Sequence, residues 1–185
     1  LIQEPAKGAV RHARTGTGPD LVKNSVGLVT GASGGIGSEI ARALLRSGAA
    51  KIYCGARQVD SLRTLTAVAP DRLLPVQLDV TDPASIAKAV KACPDVTLLI
   101  NNAGWNSNEG IFSANGFDNA RREMEVNYLG LLRLAQAFGR LIRRREDRGI
   151  FVLLSSAVPS RLLSAFPQGT PVRRVTLDDP GIGSV

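Results

Sequence analysis

A glycine-rich stretch between an apolar run and an amphipathic run constrains this chain more than any other feature. Val26–Thr30 is a short apolar segment typical of a buried strand, and the next seven residues, Gly31–Gly37, include four glycines. From Gly35 to Ser47 the apolar residues recur at helical spacing, and Gly48 ends the segment. A strand that turns through glycines directly into a helix is typical of a phosphate-binding loop.

Three of these glycines have distinct expected roles. Gly31 allows the tight turn, Gly35 lets the main chain approach a diphosphate, and Gly37 lets the helix pack closely on the strand. The free N–H groups at the start of the helix would then face the phosphates. We therefore predict a cofactor-binding turn that also includes Ser33 and Ile36. The alternative is a glycine-rich turn with a purely structural role.

Apolar strands and helical segments alternate along residues 25–155. The predicted strands are 26–30, 51–56, 73–78, 96–100 and 149–154. The predicted helices are 35–47, 59–68, 83–90 and roughly 117–145, the last with a break expected near its middle. Asp82 is the expected N-cap of the third helix, with Pro83 in its first turn. Strands that are apolar along their whole length are expected where helices cover both faces of a sheet. The alternation predicts an α/β fold, a doubly wound parallel sheet of the Rossmann type.

Composition divides the chain into three regions. Residues 1–24 mix glycine, proline, threonine and basic residues without periodicity, which predicts a mobile N-terminal tail. Residues 25–156 form the predicted nucleotide-binding domain. Residues 157–185 contain four prolines and show no strand-plus-helix pattern. We expect them to be an irregular tail, and the sheet to be incomplete on its C-terminal side.

The net charge of +7 is diffuse rather than concentrated in one arm. Its densest part, Arg140–Arg148, ends the predicted long helix, where cations complement the helix dipole. The chain has eight aromatic residues, and none interleaves with these arginines as a base-stacking surface would require. We therefore expect no nucleic-acid partner.

Other partners and compartments are constrained more simply. Cys54 and Cys93, the only cysteines, have neither metal-site nor redox spacing, so no metal site is predicted. No apolar run approaches the ~20 residues that cross a bilayer, and the first residues lack the pattern of a signal peptide. We expect a cytoplasmic protein that binds no membrane.

Five stretches together resemble the short-chain dehydrogenase/reductase (SDR) family. The first is the spacing Thr30-Gly31-x-x-x-Gly35-x-Gly37, and the others follow in order: Leu78-Asp79-Val80-Thr81, Asn101-Asn102-Ala103-Gly104, Met124–Tyr128 and Ile150–Ser156. The resemblance covers roughly residues 24–156. It implies reversible hydride transfer between a nicotinamide dinucleotide and a small carbonyl compound or secondary alcohol.

The resemblance also implies cofactor contacts after the third and fourth strands. Asp79 would hydrogen-bond the adenine, with Val80 beside it. Asn102, Ala103 and Gly104 would steady the sheet and contact the adenine-ribose side of the cofactor.

Two catalytic residues are implied in the same way. Asn127 would hold a water-linked proton relay, and Ser155, favoured over Ser156, would polarise the substrate oxygen. The family's acid is a tyrosine with a lysine four residues later. Neither Tyr53 nor Tyr128 lies downstream of Ser155, and no Tyr-x-x-x-Lys occurs in the 185 residues. General acid catalysis is worth ~10²–10⁴ in rate, so we expect a chain truncated after the fifth strand and nearly or wholly inactive.

The residue after the second strand bears on the choice of cofactor. A site for NAD(H) places a carboxylate there, which would repel the 2′-phosphate of NADP(H). Here the strand ends with Gly55-Ala56-Arg57, and the first acid, Asp60, lies in the next predicted helix. The guanidinium of Arg57 suits a phosphate, so NADP(H) is favoured over NAD(H).

Three functional hypotheses remain open. The chain is an NADP(H)-dependent oxidoreductase domain that lacks its acid, by truncation or frameshift; or a non-catalytic nucleotide-binding or partner-binding module; or an enzyme completed by another chain, including a homo-oligomer. The sequence does not identify the substrate.

Overall fold

Five parallel strands form one sheet in the order β3-β2-β1-β4-β5. The structure is a computed structural model, and it describes residues 22–110, 112–139 and 149–153. The strands are β1 (Val26–Thr30), β2 (Lys51–Ala56), β3 (Leu73–Gln77), β4 (Leu98–Asn101) and β5 (Ile150–Leu153). This order confirms the predicted doubly wound α/β fold: the chain runs outward from β1 through β2 to β3, then crosses to the other side of β1 and runs outward through β4 to β5.

Helices connect the strands. They are α1 (Gly35–Arg46), a 3₁₀ turn (Val59–Leu62) continuing into α2 (Arg63–Thr66), α3 (Pro83–Ala92), α4 (Gly116–Met124), a π-helical turn (Glu125–Leu129) and α5 (Gly130–Gly139). The carboxylate of Asp82 accepts a hydrogen bond from the Ala84 N–H at 2.8 Å, which confirms the predicted N-cap of α3. The π-helical turn is the break expected near the middle of the long helix.

Alternate residues along each strand point to opposite faces of the sheet, and each face has its own apolar layer. On one face Val29 packs in a buried cluster with Leu44 of α1. On the other face Leu28 packs in a buried cluster with Ile86 of α3 and Leu134 of α5. Both layers are needed because the central strands are buried on both sides.

Helix 59–68 is where the sequence prediction fails most. The structure has a 3₁₀ turn and a single α-helical turn that ends at Thr66. The Ser61 hydroxyl donates to the Gln58 carbonyl, and the Thr66 hydroxyl donates to the Leu62 carbonyl at 3.1 Å. Such side-chain bonds compete with the helical hydrogen bonds of the main chain, which accounts for the short helix.

The packed domain begins before residue 25. Val22 packs against the core layer of α1, and the Asn24 N–H donates to the Gly48 carbonyl at 2.9 Å. The predicted tail boundary at residue 24 is therefore too late. The other tail predictions, for residues 1–21 and 157–185, lie outside the described residues, as does the Arg140–Arg148 cluster.

Within the described ranges, no helix is both long enough and apolar enough to span a membrane.

A polar cluster ties the start of β2 to the loop before β4. The Asp95 carboxylate accepts hydrogen bonds from Lys51 Nζ at 2.6 Å and from Tyr53 Oη at 2.9 Å. Burial raises the pKa of Asp95, but the bonds from Lys51 and Tyr53 outweigh it, and the pKa lies below its usual value. The bond to Asp95 in turn raises the pKa of Lys51 to about 12. Burial raises the pKa of Tyr53, so this phenol stays neutral.

Replacing Asp95 with asparagine should reduce stability in a pH-dependent way. The Asp95 side chain is 46% exposed, so we expect a loss of only about 0.5–1 kcal/mol in the free energy of unfolding at pH 7. Because the folded-state pKa is lowered, the carboxylate stabilises the fold above the unfolded pKa of about 4 and loses this effect as the pH falls through the folded pKa. Urea unfolding of both proteins at pH 7 and pH 3 measures the difference.

The matched control is Asp71→Asn, because Asp71 is exposed and forms no ion pair among the described residues. A difference between Asp95→Asn and the unmodified protein that is as large at pH 3 as at pH 7 would contradict the electrostatic explanation.

Candidate functional site

The carboxyl ends of β1 and β4 lie side by side, and the chain leaves them toward opposite faces of the sheet. The connection after β1 leads to α1, and the connection after β4 leads to α4 and α5. Ligands of open α/β sheets bind at such a switch point. The predicted site residues follow the ends of β1, β2, β3 and β4 or lie in the π-helical turn, except Ser155, which lies outside the described residues.

The glycine-rich turn has the geometry that its sequence predicts. Gly31 and Gly35 have φ angles of +67° and +52°, in the left-handed region that favours glycine. A Cβ atom on Gly37 would lie 2.2 Å from the Gly31 carbonyl oxygen, so α1 begins directly against the turn. No side chain other than hydrogen fits at residue 37.

The start of α1 suits an anion. Gly34 at the N-cap has no side chain to accept a hydrogen bond, and the first turn contains no acidic residue. A Cβ atom on Gly34 or Gly35 would meet nothing within 4 Å, Ser33 is exposed, and the Ile36 side chain is 71% exposed. The first N–H groups of a helix lack helical partners and carry the positive end of its dipole. The turn therefore offers main-chain donors and positive potential at an open surface.

Thr30 and Asn102 lock this turn to the end of β4. Thr30 Oγ1 accepts hydrogen bonds from the N–H groups of Asn102 at 3.1 Å and Ala103 at 2.9 Å. Asn102 Nδ2 donates to the carbonyls of Thr30 at 3.0 Å and Gly31 at 3.2 Å. The amide of Asn102 thus ties the turn after β1 to the end of β4. The sequence does not identify this bridging role of Thr30, although Thr30 is the last residue of the strand before Gly31.

Asp79 lies in a rigid loop after β3. Its Oδ1 accepts hydrogen bonds from the Thr81 N–H at 2.9 Å and the Thr81 hydroxyl at 2.7 Å, and its own N–H donates to Ser85 Oγ at 2.9 Å. Burial raises the pKa of Asp79, but the bonds from Thr81 and the positive charge of Arg57 outweigh it and lower the pKa. Asp79 is therefore an ionised acceptor, and its Oδ2 forms no hydrogen bond with the described residues.

Arg57 follows the end of β2 and forms no ion pair with another residue in the part of the chain that the structure describes. It is exposed, and its charge acts on Asp79. The first acid after the strand, Asp60, forms an ion pair with Arg63 at 2.9 Å rather than with Arg57. The end of β2 therefore presents a guanidinium rather than a carboxylate.

Asn127 clamps the loop that follows β4. Its Oδ1 accepts a hydrogen bond from the Trp105 N–H at 2.8 Å, and its Nδ2 donates to the Trp105 carbonyl at 2.8 Å. A Cβ atom on Gly104 would lie 3.4 Å from the same Oδ1. The side-chain amide thus positions a loop, and the water-linked relay expected at this residue stays a prediction. No sequence pattern indicates this partner, which lies 22 positions away.

Trp105 packs against Arg122 of α4. The Arg122 guanidinium lies 4.3 Å from the centre of its ring. Nearby, Glu123 Oε1 accepts hydrogen bonds from the N–H and hydroxyl of Ser107, at 3.1 and 3.0 Å. These contacts hold the loop against α4.

The described residues contain no group of histidine, cysteine or acidic side chains that could hold a metal ion. Cys54 and Cys93 are buried free thiols, and burial raises the pKa of each to about 12. Neither is an active nucleophile at neutral pH.

Comparison with known proteins gives the family. A family model described as short chain dehydrogenase matches residues 25–164. "Dehydrogenase/reductase SDR family member 7B" of Rattus norvegicus is 35% identical over 148 residues, which are 73% of this chain and 45% of that protein.

Solved structures agree. A short chain dehydrogenase from Burkholderia cenocepacia, in complex with NADP, is 38% identical with a TM-score of 0.63, over 70% of this chain and 52% of that chain. A short-chain dehydrogenase from Streptomyces avermitilis is 33% identical with a TM-score of 0.62, over 70% of this chain and 48% of that chain. The chain spans about half the length of these relatives. The resemblance is confirmed, and the chain belongs to the short-chain dehydrogenase/reductase family.

Proposed function

We propose that this chain binds NADP(H) at the switch point, with the diphosphate against the start of α1. The observation that supports this most strongly is the contact between Gly37 and Gly31, which aims an uncapped helix start at the edge of the sheet. The absence of an acid in the first turn of α1 leaves the positive end of its dipole unopposed. The Burkholderia relative was itself solved with NADP.

The other predicted residues divide the cofactor between them. The Asp79–Val80 loop would receive the adenine, and Arg57 would pair with the 2′-phosphate. Asn102, Ala103 and Gly104 would lie along the adenine-ribose side. Arg57 supports NADP(H) over NAD(H) because its charge stands where a carboxylate would select the 2′-hydroxyl.

Bound NADP(H) supplies the hydride chemistry of the family, with a carbonyl or secondary alcohol as its counterpart. In this chain Asn127 holds the Trp105 loop, and Ser155 would polarise the substrate oxygen. Tyr-x-x-x-Lys does not occur in the 185 residues. We therefore infer that this chain by itself binds the cofactor with little or no turnover. A non-catalytic binding module is the second candidate, favoured by the same intact cofactor side.

Gly37→Ala should damage both packing and cofactor binding. The added Cβ would overlap the Gly31 carbonyl oxygen, and such overpacking costs about 1–3 kcal/mol of stability. We expect NADPH binding, followed by fluorescence titration of the folded protein, to weaken at least about tenfold because the helix start is displaced from the turn.

Gly27→Ala in β1 is the control, since its Cβ would lie 3.6 Å from the Leu44 side chain, an ordinary contact. Unchanged NADPH affinity in folded Gly37→Ala would remove the turn from the proposed site.

Arg57→Ala should discriminate between the two cofactors. Charge-assisted hydrogen bonds contribute about 1.5–3 kcal/mol each, so we expect NADPH affinity to fall about tenfold or more and NADH affinity to stay the same. Higher salt should reduce the preference of the unmodified protein for NADPH. Arg63→Ala is the control, because Arg63 is engaged with Asp60. Equal loss of both cofactors would contradict the assigned role of Arg57.

Binding and turnover can be measured on the same sample. We expect the 185-residue chain to bind NADPH but not to consume it above the protein-free rate with a panel of aldehydes and ketones, because the proton donor is missing. Ordinary turnover would refute the inferred inactivity, and a defined oligomer by mass would assign it to the assembly. No binding at all would refute the NADP(H) proposal.

A further inference from the structure

Gly130, the first residue of α5, packs directly against the loop that contains Asp79. A Cβ atom at this position would lie 2.9 Å from Val80 Cγ2 and 3.0 Å from the Val80 carbonyl oxygen. The Val80 side chain is 7% exposed, and a β-branched side chain rotates little about its first bond. Neither the valine methyl nor the carbonyl can easily move aside.

Local preference would favour alanine here. The φ and ψ angles of Gly130 are −58° and −43°, ordinary helical values that any residue adopts. Glycine is a poorer helix former than alanine. The close approach to Val80 is therefore the feature that accounts for glycine at this position.

The loop is held on its other sides as well. The Leu78 N–H donates to the Ala56 carbonyl at 2.8 Å, and the Asp79 N–H donates to Ser85 Oγ. With these anchors in place, α5 forms the wall behind the loop. The π-helical turn just before Gly130 also contains Asn127, which clamps Trp105 on the other side of the switch point.

We propose that Gly130 is a positioning residue for the cofactor. The segment Glu125–Gly130 braces both sides of the switch point: Asn127 holds the loop after β4, and Gly130 sets the position of the loop Asp79–Thr81. The inference rests on the proposed function, since this loop is the one assigned to the adenine.

The test is Gly130→Ala in the full chain, with NADPH and 2′,5′-ADP as probes. 2′,5′-ADP contains only the adenylate half, so it reports on the Asp79–Thr81 side. We expect both affinities to fall about tenfold, as overpacking displaces the loop. Hydrogen exchange at the amides of Asp79 and Thr81 should become faster in the variant. The displaced loop would weaken the hydrogen bond from the Asp79 N–H to Ser85 Oγ and that from the Thr81 N–H to Asp79 Oδ1. Gly110→Ala, whose Cβ would meet nothing within 4 Å, should change neither measurement.

A second variant separates positioning from general damage. Val80→Ala removes the methyl nearest to the added Cβ. Adding Gly130→Ala to the Val80→Ala variant should therefore reduce the affinity less than adding it to the unmodified chain. Unchanged 2′,5′-ADP binding and unchanged exchange in Gly130→Ala would overturn the proposal. If the unmodified chain binds neither probe, the proposed function fails, and the exchange measurement, which needs no ligand, still decides whether Gly130 positions the loop.

Discussion

The contact between the Gly31 carbonyl and the start of α1 is the constraint on which the candidate site depends. Because residue 37 has only a hydrogen as its side chain, the helix can begin within van der Waals distance of the turn. Its first N–H groups consequently lie at the carboxyl edge of the sheet, at the positive end of the dipole. Asn102 then binds the carbonyls of Thr30 and Gly31 and fixes the turn against β4. One close approach thus sets both the shape and the potential of the switch point.

The polar side chains around the switch point act mainly on the main chain. The side-chain amides of Asn102 and Asn127 each hydrogen-bond to main-chain groups of another segment. The Thr30 hydroxyl accepts hydrogen bonds from two N–H groups in the loop after β4, the strand beside β1 in the sheet. Scaffolding of this kind orders the loops before any ligand arrives, so less conformational entropy is lost on binding. The donors that the turn after β1 offers to a diphosphate are backbone amides, whose positions are set by the fold.

Much of this arrangement is predictable from sequence, and the exceptions have physical causes. Periodicity placed β1 and β2 at their observed bounds, since apolar strands next to glycines leave few alternatives. It failed at residues 59–68, where hydroxyl side chains compete for helical carbonyls. It could not reveal the partner of Asn127 or the approach of Gly130 to Val80, because both contacts join segments distant in sequence. A glycine within the predicted long helix is the local sequence feature that points to such an approach.

The proposed cofactor binding and the proton transfer of the family depend on different residues. The turn after β1, the Asp79 loop and the amide of Asn102 belong to residues 26–102, and the sheet order brings them together without the segment after β5. The affinity of the proposed site would come from main-chain donors, one guanidinium and close packing, none of which requires an acid of matched pKa. Catalysis does require one, positioned within hydrogen-bond reach of the substrate. Lack of that acid would therefore leave the residues proposed for binding in place.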